Sequence, residues 1–184
     1  PAPVDVARNV CVREFLNTDA THLFFIDSDV APPHNALEVL LSHDREIVSA
    51  LVFTSLPDEN GQVWPVPCAF RMHDGKLRPY FGQGLVEVDA IGMGCVLIHR
   101  NVFETLQPPW FCLRYDRSRT TLKLGEDLDF CEKARAHSFE IFVDYNLVCD
   151  HFARANLGAW AGALARGGYD VILKPPPRSP AVID

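Results

Sequence analysis

The chain has 184 residues, enough for one domain with a substantial buried core. Its hydrophobic fraction of 48% excludes disorder over most of the length, and a formal net charge of -7 argues against nucleic acid as the main partner, since a phosphate backbone demands clustered Lys and Arg. No apolar stretch approaches the ~18 residues of a membrane span and no secretory signal is visible, while six dispersed cysteines without a C-x-x-C spacing suit a reducing, cytoplasmic setting better than a zinc site.

In chain order, Val6, Val10 and Phe15 at helical spacing predict a first helix from about Pro3 to Leu16, with Asp5 near its start. Leu23-Phe24-Phe25-Ile26 reads as a short strand buried on both faces, running directly into Asp27-Ser28-Asp29. Pro32-Pro33 stops that strand and opens a helix with Ala36, Leu37, Leu40 and Leu41 on its apolar side, and Glu46 to Phe53 forms a second strand. Strand, crossover helix and strand imply a parallel pair, and hence a mostly parallel, doubly wound α/β sheet of the Rossmann kind. Thr54 to Pro67, rich in Pro, Asp, Asn and Gly, reads as a loop. Asp74-Gly75 marks a hairpin between Cys68–Met72 and Leu77–Tyr80. Val86–Ile91 and Cys95–Ile98 are strands separated by Gly92-Met93-Gly94. A short helix over Asn101–Leu106, a polar basic loop from Arg114 to Lys123, a helix from Glu126 to His137 and strands at Glu140–Val143 and Leu147–Cys149 complete a domain spanning 1–152. Residues 153–184 read as a small-residue helix followed by an irregular Pro-rich tail.

Chemistry concentrates in a few places. Two carboxylates at i and i+2 of an extended segment project to one side, roughly 7 Å apart, and a desolvated acid must be paired or must hold a cation. Asp27 and Asp29 are therefore candidates for Mg²⁺ or Mn²⁺, the ion completing its shell with diphosphate oxygens. The plainer alternative is that Asp27 ends the strand and Asp29 caps the next helix. A second acidic cluster, Glu126-Asp127-Leu128-Asp129, falls in the first turn of its helix. Dipole complementarity accounts for Asp129, while a first-turn carboxylate facing a cleft is also a well-placed general base. His151, at the end of the last strand, would complete an Asp/His metal set if that strand lies near Asp27-Ser28-Asp29. Gly92 and Gly94 are either a tight turn or a place of close backbone approach to a ligand. Arg8, early in the first helix, is either solvated or a phosphate clamp.

The order of these motifs resembles the GT-A-fold glycosyltransferases, closest to the family 2 type: Arg8-Asn9 in a helix, a strand, Asp27-Ser28-Asp29, a Gly-containing strand pair, Gly125-Glu126-Asp127 and a late His151. The resemblance spans about residues 4–152. It implies a metal-dependent transferase moving a sugar from a UDP- or GDP-linked donor to an acceptor hydroxyl, with inversion, on Mn²⁺ or Mg²⁺. Asp29 would be the direct metal ligand with His151, and Asp27 would lie nearer the ribose. Arg8, Ser28, Gly92 and Gly94 would belong to the donor site, and Asp127, with Glu126 beside it, would take the acceptor proton. Members normally begin with a strand whose following loop holds the nucleotide base, and the fold is expected without it. Two other readings use the same residues: a metal-dependent nucleotidyltransferase or pyrophosphatase, and a non-catalytic sugar-nucleotide or glycan-binding module.

Overall fold

The computed structural model describes residues 2–57, 61 and 63–152. In chain order its elements are α1 (Val4–Leu16), β1 (His22–Ile26), β2 (Val30–Ala31), α2 (Ala36–Ser42), β3 (Ile47–Leu51), β4 (Phe53–Pro57), β5 (Val63–Pro67), β6 (Ala69–His73) and β7 (Lys76–Pro79). There follow β8 (Leu85–Val88), β9 (Ala90–Ile91), β10 (Cys95–His99), α3 (Arg100–Thr105), β11 (Arg114–Tyr115), β12 (Leu122–Leu124), α4 (Glu126–Ala136), β13 (Ile141–Val148) and β14 (Asp150–His151). The small-residue helix and Pro-rich tail expected over 153–184 lie outside the described residues.

A five-stranded sheet in the order β1-β10-β3-β13-β8 forms the centre. Only β3 and β13 run parallel; the pairs β1–β10, β10–β3 and β13–β8 are antiparallel. This overturns the expected mostly parallel, doubly wound sheet. The strand-helix-strand argument assumed that β1 and β3 are neighbours, whereas β10 lies between them and runs against both. Its Cys95-Val96-Leu97-Ile98 run is buried throughout, which suits a central strand. β1, by contrast, is an edge strand, with Phe25 covered and Ile26 exposed, so its apolar run is not buried on both faces.

Each face of the sheet has its own core, set by the two-residue period of the strands. On one face Ile47, Leu51, Val96, Ile98, Ile141 and Val143 pack with Val12 and Phe15 of α1, Phe103 of α3, and Phe130 and Ala134 of α4. On the other, Val48, Ala50, Cys95, Leu97 and Leu147 pack with Ala36 and Leu40 of α2. The first core holds an aromatic chain: Phe25 lies 5.6 Å from Phe111, which stacks on Phe130 at 4.7 Å, with Phe130 5.9 Å from Phe103. Each such contact adds about 0.5–1.5 kcal/mol beyond its buried area. On the second side, His43 Nε2 meets the buried Asp144 carboxylate at 2.9 Å, tying the end of α2 to an irregular stretch of β13.

Smaller ribbons surround the sheet. The segment read as a loop over Thr54–Pro67 instead contains the antiparallel pair β4–β5, Pro-rich but in register from Phe53↔Pro67 to Pro57↔Val63. β6 and β7 form the hairpin signalled by Asp74-Gly75, whose positive φ values of 49° and 71° match the turn type that tight hairpins favour. The basic stretch read as a loop also pairs, as β11–β12. No helix among the described residues is long and apolar enough to cross a membrane.

Candidate functional site

At the end of β1 the chain turns rather than continuing extended: Asp27 N–H donates to Gly94 O at 3.0 Å, and Val30 N–H donates back to Asp27 O at 3.0 Å. The turn breaks the i, i+2 geometry, and Asp27 and Asp29 take different partners. Ser28, between them, is exposed.

Asp27 meets Arg8. From α1, Arg8 Nη2 donates to Asp27 Oδ1 at 3.0 Å and Oδ2 at 3.2 Å, while its Nε donates to Glu126 Oε1 at 3.3 Å. Arg8 is only 7% exposed, and its guanidinium lies 5.6 Å from the Phe25 ring centroid. A buried cation needs this compensation, and the bridge joins the two acidic motifs, 99 positions apart in sequence, through one side chain. Its neighbour Asn9 does equivalent work on the backbone. The Asn9 amide donates to Asp5 O and Phe111 O, and its oxygen accepts from Trp110 N and Phe111 N at 2.9 and 3.2 Å.

Asp127 sits in the first turn of α4, where its Oδ1 accepts from Leu128 N at 2.8 Å. No ion pair holds it among the described residues, in contrast to Glu126 on Arg8 and to Asp129, which is buried against Arg114 at 2.7 Å and Lys133 at 2.6 Å. Burial raises the Asp127 pKa above the ordinary carboxylate value, the Glu126 charge adds to the rise, and the Leu128 N–H and Arg8 oppose it. Glycine leaves the carboxylate room on one side, since a Cβ at Gly125 would stand 2.7 Å from Asp127 Oδ1. One at Gly92 would press on Cys68 Cβ at 3.2 Å and meet Asp127 Oδ2 only at the ordinary contact distance of 3.9 Å. Gly94 plays a different part, since its Cβ would press on Val30 and Val52 at 3.3 and 3.4 Å in the core.

Cys68, which nothing in the sequence singled out, joins this group. It lies against Gly92, and burial together with the Asp127 and Asp27 charges pushes its thiol up to about 11. In sequence it is a cysteine opening an apolar run, indistinguishable from a core residue.

Asp29 meets His151. The ribbon β2–β14 sets Val30 opposite His151, and Phe152 N–H donates to Asp29 O at 2.8 Å. His151 Nδ1 is 2.6 Å from Phe53 O, and a carbonyl only accepts, so Nδ1 carries the proton. In the neutral ring this leaves the Nε2 lone pair free, 3.5 Å from Asp29 Oδ2. That distance is long for a hydrogen bond. It exceeds the ~3.0 Å between cis ligands of an octahedral ion with ~2.1 Å bonds and falls short of the ~4.2 Å between trans ligands, so joint ligation needs a small side-chain shift. A backbone carbonyl fixing the remote ring nitrogen is the usual support of a metal-ligating histidine. Asp29 Oδ2 and His151 Nε2 are thus two neighbouring donors of the types that a divalent ion takes. No group of three or more His, Cys, Asp or Glu that could hold a metal occurs among the described residues, so the remaining positions would fall to water or a ligand.

No family model matches the chain, and no curated protein matches it in sequence. Among solved structures, it is similar to the A197 protein from STIV, with a TM-score of 0.57 and 21% identity over 84% of this chain and 70% of that one. It is also similar to GalNAc-T7, whose crystal structure contains UDP, GalNAc and Mn²⁺, with a TM-score of 0.52 and 14% identity over 83% of this chain and 31% of that one. At these identities the likeness is one of fold, and this chain corresponds to under a third of the GalNAc-T7 chain.

Proposed function

We propose that this protein is a divalent-metal-dependent glycosyltransferase that moves a sugar from a nucleoside diphosphate donor, UDP- or GDP-linked, to an acceptor hydroxyl. The observation that carries the reading is the Asp29–His151 pair, with Nδ1 tied to Phe53 O and Nε2 facing a carboxylate at 3.5 Å. The fold likeness to a transferase crystallised with UDP, GalNAc and Mn²⁺ supports it.

Asp29 and His151 would hold Mn²⁺ or Mg²⁺, their mixed oxygen and nitrogen donors suiting Mn²⁺. The ion would neutralise the charge that gathers on the diphosphate leaving group. Asp127, the acid of the Glu126-Asp127 pair without an ion-pair partner among the described residues, accepts the proton of the acceptor hydroxyl. The hydroxyl oxygen forms its bond to the anomeric carbon as the bond from that carbon to the diphosphate oxygen breaks, the electron pair leaving with the diphosphate. In-line attack of this kind inverts the anomeric centre. Arg8 donates through Nη2 to Asp27 and through Nε to Glu126, so its part is to hold those two carboxylates in place. Asp27, Ser28 and the Gly92 backbone form the donor side, with Gly94 shaping that loop through its packing.

Calorimetry of UDP and GDP tests the proposal. Binding is expected with Mn²⁺, to vanish in EDTA, and to vanish for Asp29→Ala. An acidic site without its cation repels a diphosphate. Equal affinity in EDTA would overturn the proposal. Donor binding without transfer to any acceptor or to water would instead favour a non-catalytic sugar-nucleotide-binding module.

A further inference from the structure

Every side chain assigned to the proposed transfer site is acidic or neutral apart from Arg8 and His151, and the chain as a whole carries a net charge of -7. Against that background the hairpin β11–β12 stands out. Residues 113–124 hold Arg114, Arg117, Arg119 and Lys123 against the single acid Asp116. Arg114 is spent, anchoring the hairpin on α4 through Asp129 and Glu132. Asp116 is also spent, inside the turn, where it accepts from Ser118 Oγ, Thr120 N and Thr121 N while Arg119 takes a φ of 58°. Arg117, Arg119 and Lys123 are exposed, with no ion pair among the described residues. On the same hairpin Tyr115 and Leu122 face each other in register, each about half exposed. An open cleft of about 530 Å³ lies beside them, lined by Leu113, Tyr115, Asp116 and Arg119.

The hairpin runs straight into Gly125-Glu126-Asp127. Lys123 is four residues before the proposed base, which bounds their backbone separation at ~14 Å. Lys123 is the cation held this close to the end of the site where the acceptor hydroxyl would lose its proton, while Arg119 lines the cleft and Arg117 belongs to the same turn. Three exposed cations on one hairpin, without an ion pair among the described residues, exceed what a single carboxylate needs and suit a dianionic phosphate. An aromatic face beside them suits a ring-bearing body.

We propose that the Arg114–Leu124 hairpin is the acceptor-binding arm and that the acceptor it selects carries a phosphate group. This rests on the transferase reading, and its test is separable from it. Binding of matched sugar pairs (glucose and glucose 6-phosphate, mannose and mannose 6-phosphate, inositol and inositol phosphate) is followed by ligand-observed NMR on the full chain, with glucuronate as a monoanionic control. At least one phosphorylated member is expected to bind at least tenfold tighter than its parent sugar and tighter than glucuronate. The triple variant Arg117→Gln, Arg119→Gln, Lys123→Gln, all at exposed positions, is expected to lose that preference while its melting temperature stays unchanged. The charge-conserving changes Arg117→Lys and Arg119→Lys, with Lys123 intact, are expected to keep most of it. No phosphate preference in any pair, or a preference that survives the triple variant, would overturn the proposal. So would cosedimentation with anionic phosphatidylserine vesicles that the variant abolishes while sugar phosphates are ignored, since the hairpin would then face a membrane surface. Calorimetry with UDP, GDP and Mn²⁺ reports on the transferase reading alone. A chain that binds sugar phosphate through the hairpin but no nucleotide would keep the phosphate site and lose the transferase.

Discussion

Asp127 is where chemistry and folding oppose each other most directly. Burial makes its charged form costly, so its pKa is raised, and the acid limb of a transfer pH profile is expected above the ordinary carboxylate value of about 4. Because the folded pKa is the higher one, the cost is absent below the ordinary value and complete above the raised one. Asp127→Asn is therefore expected to melt higher than the parent at neutral pH, the difference shrinking as pH falls through the raised pKa. The same variant should cut transfer by about 10²–10⁴ and leave donor affinity within a few-fold. A collapse of donor affinity would move Asp127 to the donor side and leave Glu126 as the base. Gly125 supplies an independent check without touching the carboxylate chemically. The Cβ of Gly125→Ala would stand 2.7 Å from Asp127 Oδ1, closer than real contacts allow, so the carboxylate must swing away. Since Gly125 has an extended backbone that any residue adopts, the fold should persist. Transfer is expected to fall at least tenfold with a nearly unchanged melting temperature, read from steady-state rates beside a thermal melt.

Among the elements, α1 is the organiser of the site. Its two adjacent polar residues reach in different directions, Arg8 to the carboxylates and Asn9 to the segment leading from α3 toward α4. Asn9 occupies both its donor and its acceptor groups on backbone, and Phe111, which it fixes, stacks on Phe130 of α4. Asn9→Ala leaves those backbone groups without a partner, at about 1–3 kcal/mol for a buried one. A loss of about 2–3 kcal/mol is expected in denaturant titrations, with the midpoint lowered and the slope unchanged. An unchanged midpoint would mean that the 108–111 segment is held by its aromatic packing alone. The ribbons matter in the same way: β4 contributes the carbonyl that orients His151, and β2–β14 brings the histidine to Asp29.

Taken as a whole, the molecule sets Asp27 and Asp29 after β1 and Glu126 and Asp127 at the start of α4, so the proposed site is built from element ends. A metal that binds only the folded chain stabilises it by mass action, about 2.7 kcal/mol at a hundredfold excess over its dissociation constant. For a domain of this size that is a rise of ~5–10 °C in melting temperature. Mn²⁺ is expected to produce such a rise, enhanced by UDP or GDP, and His151→Ala is expected to abolish it. A rise that survives His151→Ala would place the ion elsewhere.

Composition, period and turn chemistry were enough to locate most elements and every acid in the proposed site. The helical spacing of α1, the buried run of β10, the Asp74-Gly75 turn and the acids opening α4 are local signals, and local signals survive in a bare sequence. Neighbour relations are not local. Nothing in Cys95–His99 says that it inserts between β1 and β3, because a strand buried on both faces reads the same in a parallel sheet and an antiparallel one. The Pro-rich pairing of β4 with β5 was hidden for a related reason, since proline and glycine signal a break in a strand as readily as an edge ribbon. The site divides along the same line. Residue type marked Asp27, Asp29, Asp127 and His151, but only the fold could decide that a turn sends the first two to different partners, that Arg8 is spent on carboxylates, and that Cys68 lies beside Asp127. Those are distances between segments far apart in sequence, set by packing energies summed over the whole core.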